Sequence, residues 1–274
     1  MSPGYQIGTA LSVGAGQPPR RRWIWITVAL LTTFVLVTPV ALRLWLKTAH
    51  HNQALPARVY QQHLTQLTVV APAGGVTIVP SGRAGVTVTG DLSWVFGQPF
   101  VNQAVRGSTL QVTGSCPKPN AFEDCQVGLT IRVPADLAVD ISAGSGSIAV
   151  RGLSGPLHLT VTSGSITMTH VSGPVWASAG SGSVSGYRLV SPALDAVIGS
   201  GSLQVGLAAT PKTLSLAIGS GYAHIIVPLG ARMRTVTNAG AGLLHIAPGF
   251  ADSGAVGTLT ANIGNGVLTV GYSR

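Results

Sequence analysis

Charge is scarce in this sequence. Only 8% of its residues are Asp, Glu, Lys or Arg, and just seven of these are acidic: Asp91, Glu123, Asp124, Asp136, Asp140, Asp195 and Asp252. So few scattered carboxylates leave no clear pair of the kind that flanks a glycosidic bond at about 5–10 Å. Aromatics are equally thin at 5%, and no basic stripe with interleaved aromatics is present, which argues against a nucleic-acid groove. There are two cysteines, too few for a zinc cluster without a nearby His. What is abundant is punctuation, with 36 Gly and 17 Pro. That excludes a helical bundle, while a hydrophobic content of 46% excludes a disordered chain.

The net charge of +9 is unevenly spread. Arg20, Arg21 and Arg22 close the first segment, and from Lys47 onward twelve basic residues face seven acidic ones. Between these regions Trp23 to Leu42 runs for twenty residues without a charge, long enough at 1.5 Å per residue to cross a hydrocarbon core of about 30 Å. Trp23, Trp25 and Trp45 suit the two interfaces, and Pro39 is tolerated near the end of a membrane helix. The apolar run exceeds a cleavable signal core, so it reads as an uncleaved signal anchor. The arginines place the N-terminus in the cytoplasm and the rest outside. This gives a disordered cytoplasmic tail over 1–22, a transmembrane anchor over 23–46, a polar stalk over 47–65 and an extracytoplasmic domain over 66–274. Cys116 and Cys125 bracket a turn-rich loop and, in an oxidising compartment, are expected to close as a disulfide.

The extracytoplasmic region is built on a recurring turn, Gly-Ser-Gly-Ser or a close variant. Its markers are Gly146, Gly164, Gly182, Gly201, Gly221, Gly242 and Gly266, at gaps of 18, 18, 19, 20, 21 and 24 residues. Prolines 156, 174, 192, 211, 228 and 248 interleave with them. Between turns, apolar and polar residues alternate: Leu157, Leu159 and Val161 share one face, His158, Thr160 and Thr162 the other. Two turns and two half-buried strands per period predict an all-β fold, a two-sided β-solenoid with coils of about 18–21 residues, stacked 4.7–4.9 Å apart. The excursion 91–107 is expected to cap the first coils.

Other readings of the same residues fail on their requirements. No helix N-terminus and no Walker lysine follow the glycines, so they do not form a phosphate loop. The corners carry no Asp, as calcium-binding β-rolls require. The histidines are out of phase except His224 and His245, which fall one coil apart without a third ligand. Thr-x-Thr pairs occur at different phases and read as ordinary β-propensity. Asp195 stands outward on a strand, with no neighbouring coil clearly offering a second acid. No catalytic, cofactor or metal residues emerge.

The run from Cys116 through Cys125-QVGLTIRVP-ADLAVDISAGSGSIAVRGLSG resembles the DUF4097 family of adhesin-like bacterial β-strand-repeat envelope proteins, over about residues 66–274. Asp136 stands where that family often has Gly, and the corners read GSGS instead of GSGD. The resemblance implies a membrane-anchored envelope module of adhesin-like binding or scaffolding role, not an enzyme, with an envelope protein or glycan as partner. The alternative it implies is an accessory sensor of envelope stress. The outward aromatic residues Trp94 and Trp176 are the places to look for an interaction patch.

Overall fold

In a computed structural model the structure describes residues 21–48, 51–95, 97–117 and 125–273. Residues 1–20 of the tail expected over 1–22, His50 and the loop acids Glu123 and Asp124 lie outside these. The chain falls into two units, Met1–Ala49 and His50–Arg274. In the first, helix α1 (Arg21–Thr48) covers the apolar run, with Pro39 inside it. Among the described residues no helix is long and apolar enough to cross a membrane, so the expected span is not a finding of the structure.

The second unit is a single fifteen-stranded sheet. Its centre is a parallel ladder of long strands: β7 (Ala138–Arg151), β8 (Leu157–Thr169), β9 (Val175–Leu189), β10 (Ala193–Leu207) and β11 (Thr213–Val227). Each pairs with the next in sequence, so that Val139 lies beside Leu157, Leu157 beside Val175, Val175 beside Leu194 and Leu194 beside Leu214. Each of these strands turns at a corner glycine of positive φ. Inward residues before the bend (Val139, Ile141) and after it (Ile148, Val150) join one continuous buried cluster. Period-two alternation on both sides of the bend lets a chain with little charge bury so much Val, Ile and Leu.

The corner glycines stack on one another. Gly146, Gly164, Gly182, Gly201 and Gly221 all take φ between +138° and +146°. At Gly182 a β-carbon would lie 1.9 Å from the carbonyl oxygen of Gly164, so glycine is required both by the backbone angle and by the coil beside it. Gly74, outside the expected series, heads the column: a β-carbon on Gly146 would lie 1.7 Å from its oxygen. Gly266 and Gly242 extend it, each pressed against the preceding corner carbonyl.

Spatial order departs from chain order at both ends, which the regular spacing does not foretell. Strand β2 (Gln66–Pro80) pairs on one side with β7, four strands interposed in sequence, and does not pair with either of the two described strands that directly follow it. The outer rung beyond it is made by β5 (Thr109–Ser115) and β6 (Cys125–Val133). At the far end β14 (Thr258–Ile263) and β15 (Val267–Tyr272) insert between β11 and the pair β12 (Arg234–Ala239) and β13 (Leu243–Ile246). The last strands in sequence are therefore interior rungs. His224 and His245 are consequently not neighbours, since Thr269 of β15 lies between them.

The first end is closed by antiparallel strands. β3 (Val86–Trp94) pairs with β6, and β4 (Phe100–Arg106) with β5, so part of the 91–107 excursion does cover the end of the ladder. The expected stalk is a correction: residues His51–Tyr60 form β1, the edge strand on β3. Its side chains are mostly exposed, so hydrophobic patterning gives no hint; backbone pairing holds it, with Leu55 and Tyr60 packed against the core and the Tyr60 hydroxyl donating to Gln103 Oε1 at 2.9 Å. Pro56 and a register shift between Leu55 and Arg58 interrupt its pairing, as befits a sheet edge. At the opposite end no described strand pairs outside β12 and β13. There Thr235 and Thr237 take inward places held by Leu259 and Ala261 on the next rung, tempering an apolar end.

Cys116 and Cys125 form a disulfide joining the end of β5 to the start of β6, with Cα atoms 6.1 Å apart. Because both strands belong to the outermost parallel rung, its reduction should loosen the capped end by about 2–3 kcal/mol. Hydrogen exchange should then quicken in β4–β6 while β8–β10 keep their protection.

Candidate functional site

The outward side chains of the ladder form columns, one residue per rung. One column is unlike the others. Asp140 of β7, His158 of β8, Trp176 of β9 and Asp195 of β10 occupy the same register position on successive rungs. It continues through Ser215 of β11 to Thr260 of β14. The strand halves before the corner hold these residues, and alternation forces them outward because Val139, Leu157, Val175 and Leu194 turn into the core.

Their geometry is close. The His158 and Trp176 rings have centroids 4.0 Å apart with planes inclined at 36°. On the other side of His158, its Nδ1 stands 3.3 Å from Asp140 Oδ1, with both side chains substantially exposed. Trp176 and Asp195 are half-buried. The two carboxylates of the column stand three rungs apart, about 14–15 Å at sheet spacing, beyond the reach of a glycosidase pair. As surface chemistry the column offers an aromatic wall flanked by acids. It can accept hydrogen bonds, stack, and attract positive charge.

The outward positions beside it on β7–β11 are Ser142, Thr160, Ser178, Val197 and Ala217, small side chains that leave a flat floor. Arg151 and Arg188 lie on the strand halves after the corner.

No family model matches the chain. No curated protein matches it either. Among solved structures, a candidate cell adhesion protein from Clostridium sporogenes is 11% identical, covering 81% of this chain and all of its own at a TM-score of 0.39. A candidate adhesin from Parabacteroides distasonis is 13% identical over 81% of this chain and 97% of its own, at 0.38. A candidate lipid binding protein from the same organism is 10% identical over 82% and 97%, at 0.32. Likenesses this distant assign neither a ligand nor an activity to this chain.

The residues singled out in the sequence divide accordingly. The seven corner glycines and the cysteine pair are architectural. Trp94 lies in the cap, its ring stacked against His51 at 5.7 Å, and is not part of the column. His224 stacks on Tyr222 at 6.2 Å, and among the described residues no group of three metal-ligating side chains gathers. A cleft of about 450 Å³ opens at the capped end between Gln61, His63, Val86, Pro134 and Asp136. The column itself has a signature in the glycine spacing. Asp140, His158, Trp176 and Asp195 each lie six positions before a corner glycine and so share one phase.

Proposed function

We propose that this protein is a membrane-anchored, extracytoplasmic binding module of the bacterial envelope, adhesin-like in role, whose ladder is a two-sided solenoid. The observation that carries the binding role is the Asp140–His158–Trp176–Asp195 column on an otherwise flat face of small side chains. The in-register parallel pairing of β7 to β11 and the stacked corner glycines support the solenoid, and with it the affinity to DUF4097-like repeats. Anchoring rests on the twenty uncharged residues from Trp23 and on α1, where Trp25, Leu31, Phe34 and Leu36 are exposed. Two hydroxyls in its apolar stretch are satisfied within the helix, Thr32 Oγ1 donating to Val28 O at 2.9 Å and Thr33 Oγ1 to Ala29 O at 2.8 Å, as a span in lipid requires.

The test of anchoring is fractionation with protease access. The full chain should stay with membranes through an alkaline carbonate wash, and protease added to cells with an opened outer layer should remove the sheet unit. Release into the wash, or a protected sheet unit, would refute the anchored arrangement. Binding is tested by photo-crosslinkers placed at Ser178 and, on the other half of the same strand, at Ser185. Capture of an envelope component from Ser178 and not Ser185 is the expected result; equal capture or none from both would count against a binding face.

A further inference from the structure

We propose that the column Asp140–His158–Trp176–Asp195 is a docking site for a cationic side chain, lysine or arginine, that projects from a protein partner. This rests on the reading of the ladder face as a binding surface, though not on the membrane anchor. The two sides of the Trp176 indole are unequal. His158 covers one at 4.0 Å, and Asp140 stands in turn beside His158. The rung on the other side carries Asp195, a much shorter side chain, followed by Ser215. Among the described residues the Asp195 carboxylate has no ion-pair or hydrogen-bond partner. An indole with a free carboxylate one rung away, roughly 4.8 Å, is the pairing that holds an ammonium or guanidinium: the ring attracts the cation and the acid neutralises it.

Charge around the site points the same way. From Lys47 onward twelve basic residues outnumber seven acidic ones, yet the outward positions before the corner on β7–β11 contain two Asp and neither Lys nor Arg. This face is thus a locally negative, aromatic-bearing patch on a positive molecule, complementary to a basic partner. Its flatness selects the form of the ligand. A strip on the outside of a sheet cannot enclose a free small molecule, but it can receive one side chain held by a macromolecule. A neutral pyranose would use the indole and leave the negative charge unmatched.

The experiment titrates the purified full chain with fluorescein-labelled hexalysine at physiological ionic strength, with neutral chitohexaose in parallel. Hexalysine should bind, and Trp176→Ala and Asp195→Asn should each weaken it on the order of tenfold. Asp91→Asn, in the cap strand β3, should leave it unchanged. Both site residues face outward, so unchanged thermal melts will separate lost docking from lost fold. The proposal is overturned if wild type does not bind hexalysine, if either site variant binds as well as wild type, or if Asp91→Asn weakens binding equally. Binding of chitohexaose in place of hexalysine would also overturn it, while leaving the binding-face reading intact.

Discussion

Gly182→Val should abolish the folded ladder. Two costs coincide at this position. The residue sits at φ +141°, where an L side chain is strained by about 1–3 kcal/mol. A β-carbon there would also lie 1.9 Å from Gly164 O and 2.9 Å from its carbonyl carbon, an overlap with backbone that no rotamer relieves. Moving the corner aside would break the pairing of Ser163 with Ser181 and Gly164 with Gly182 on one flank, and Ser181 with Ser200 on the other. A loss exceeding about 4 kcal/mol is expected, seen as failure to accumulate soluble sheet unit or collapse of the cooperative melt. Gly82→Ala is the control: nothing lies within 4 Å of its added β-carbon, and it should melt with wild type. A Gly182→Val protein that melted normally would show that the corners are not stacked as described.

Ending the chain at Gly257 should unfold more than it deletes. In a ladder whose rungs followed chain order, removing the final coil would leave the rest paired. Here β14 and β15 are interior, and β12 and β13 take their described ladder partners from them alone: Arg234 to Ala239 against Thr258 to Ile263, and Leu243 to Ile246 against Val267 to Val270. The truncation also removes the buried side chains Leu259, Ala261, Ile263, Leu268 and Val270, exposing the inward face of β11. Amides from Arg234 to Ile246 should therefore exchange at unfolded-chain rates, while β8 and β9 retain protection. Preserved protection across 234–246 would mean that these strands pair with β11 directly.

The capping strands show where sequence patterning stops. Alternation located β8 to β11 because each buries one face and the pattern records burial. It was silent on β1, whose residues are held by ladder hydrogen bonds with most side chains in solvent; a polar edge strand and a polar linker have the same composition. The column followed a different logic. Its four residues were visible individually, and their common phase was recoverable from the glycine spacing, but a shared phase becomes contact only where consecutive coils are also adjacent in space.

That last condition is met between β7 and β11 and violated at both ends. The sequence alone determined the all-β class, the glycine corners, the inward and outward faces and the cysteine pair, because each is a local demand: a backbone angle, an alternation, a short loop. Tertiary structure alone decided that β2 lies inside β5 and β6, that the C-terminal strands enter the interior of the ladder, and that Thr269 separates His224 from His245. Coils of similar length and pattern present nearly interchangeable edges, so local spacing cannot rank their neighbours; the packing of whole rungs does.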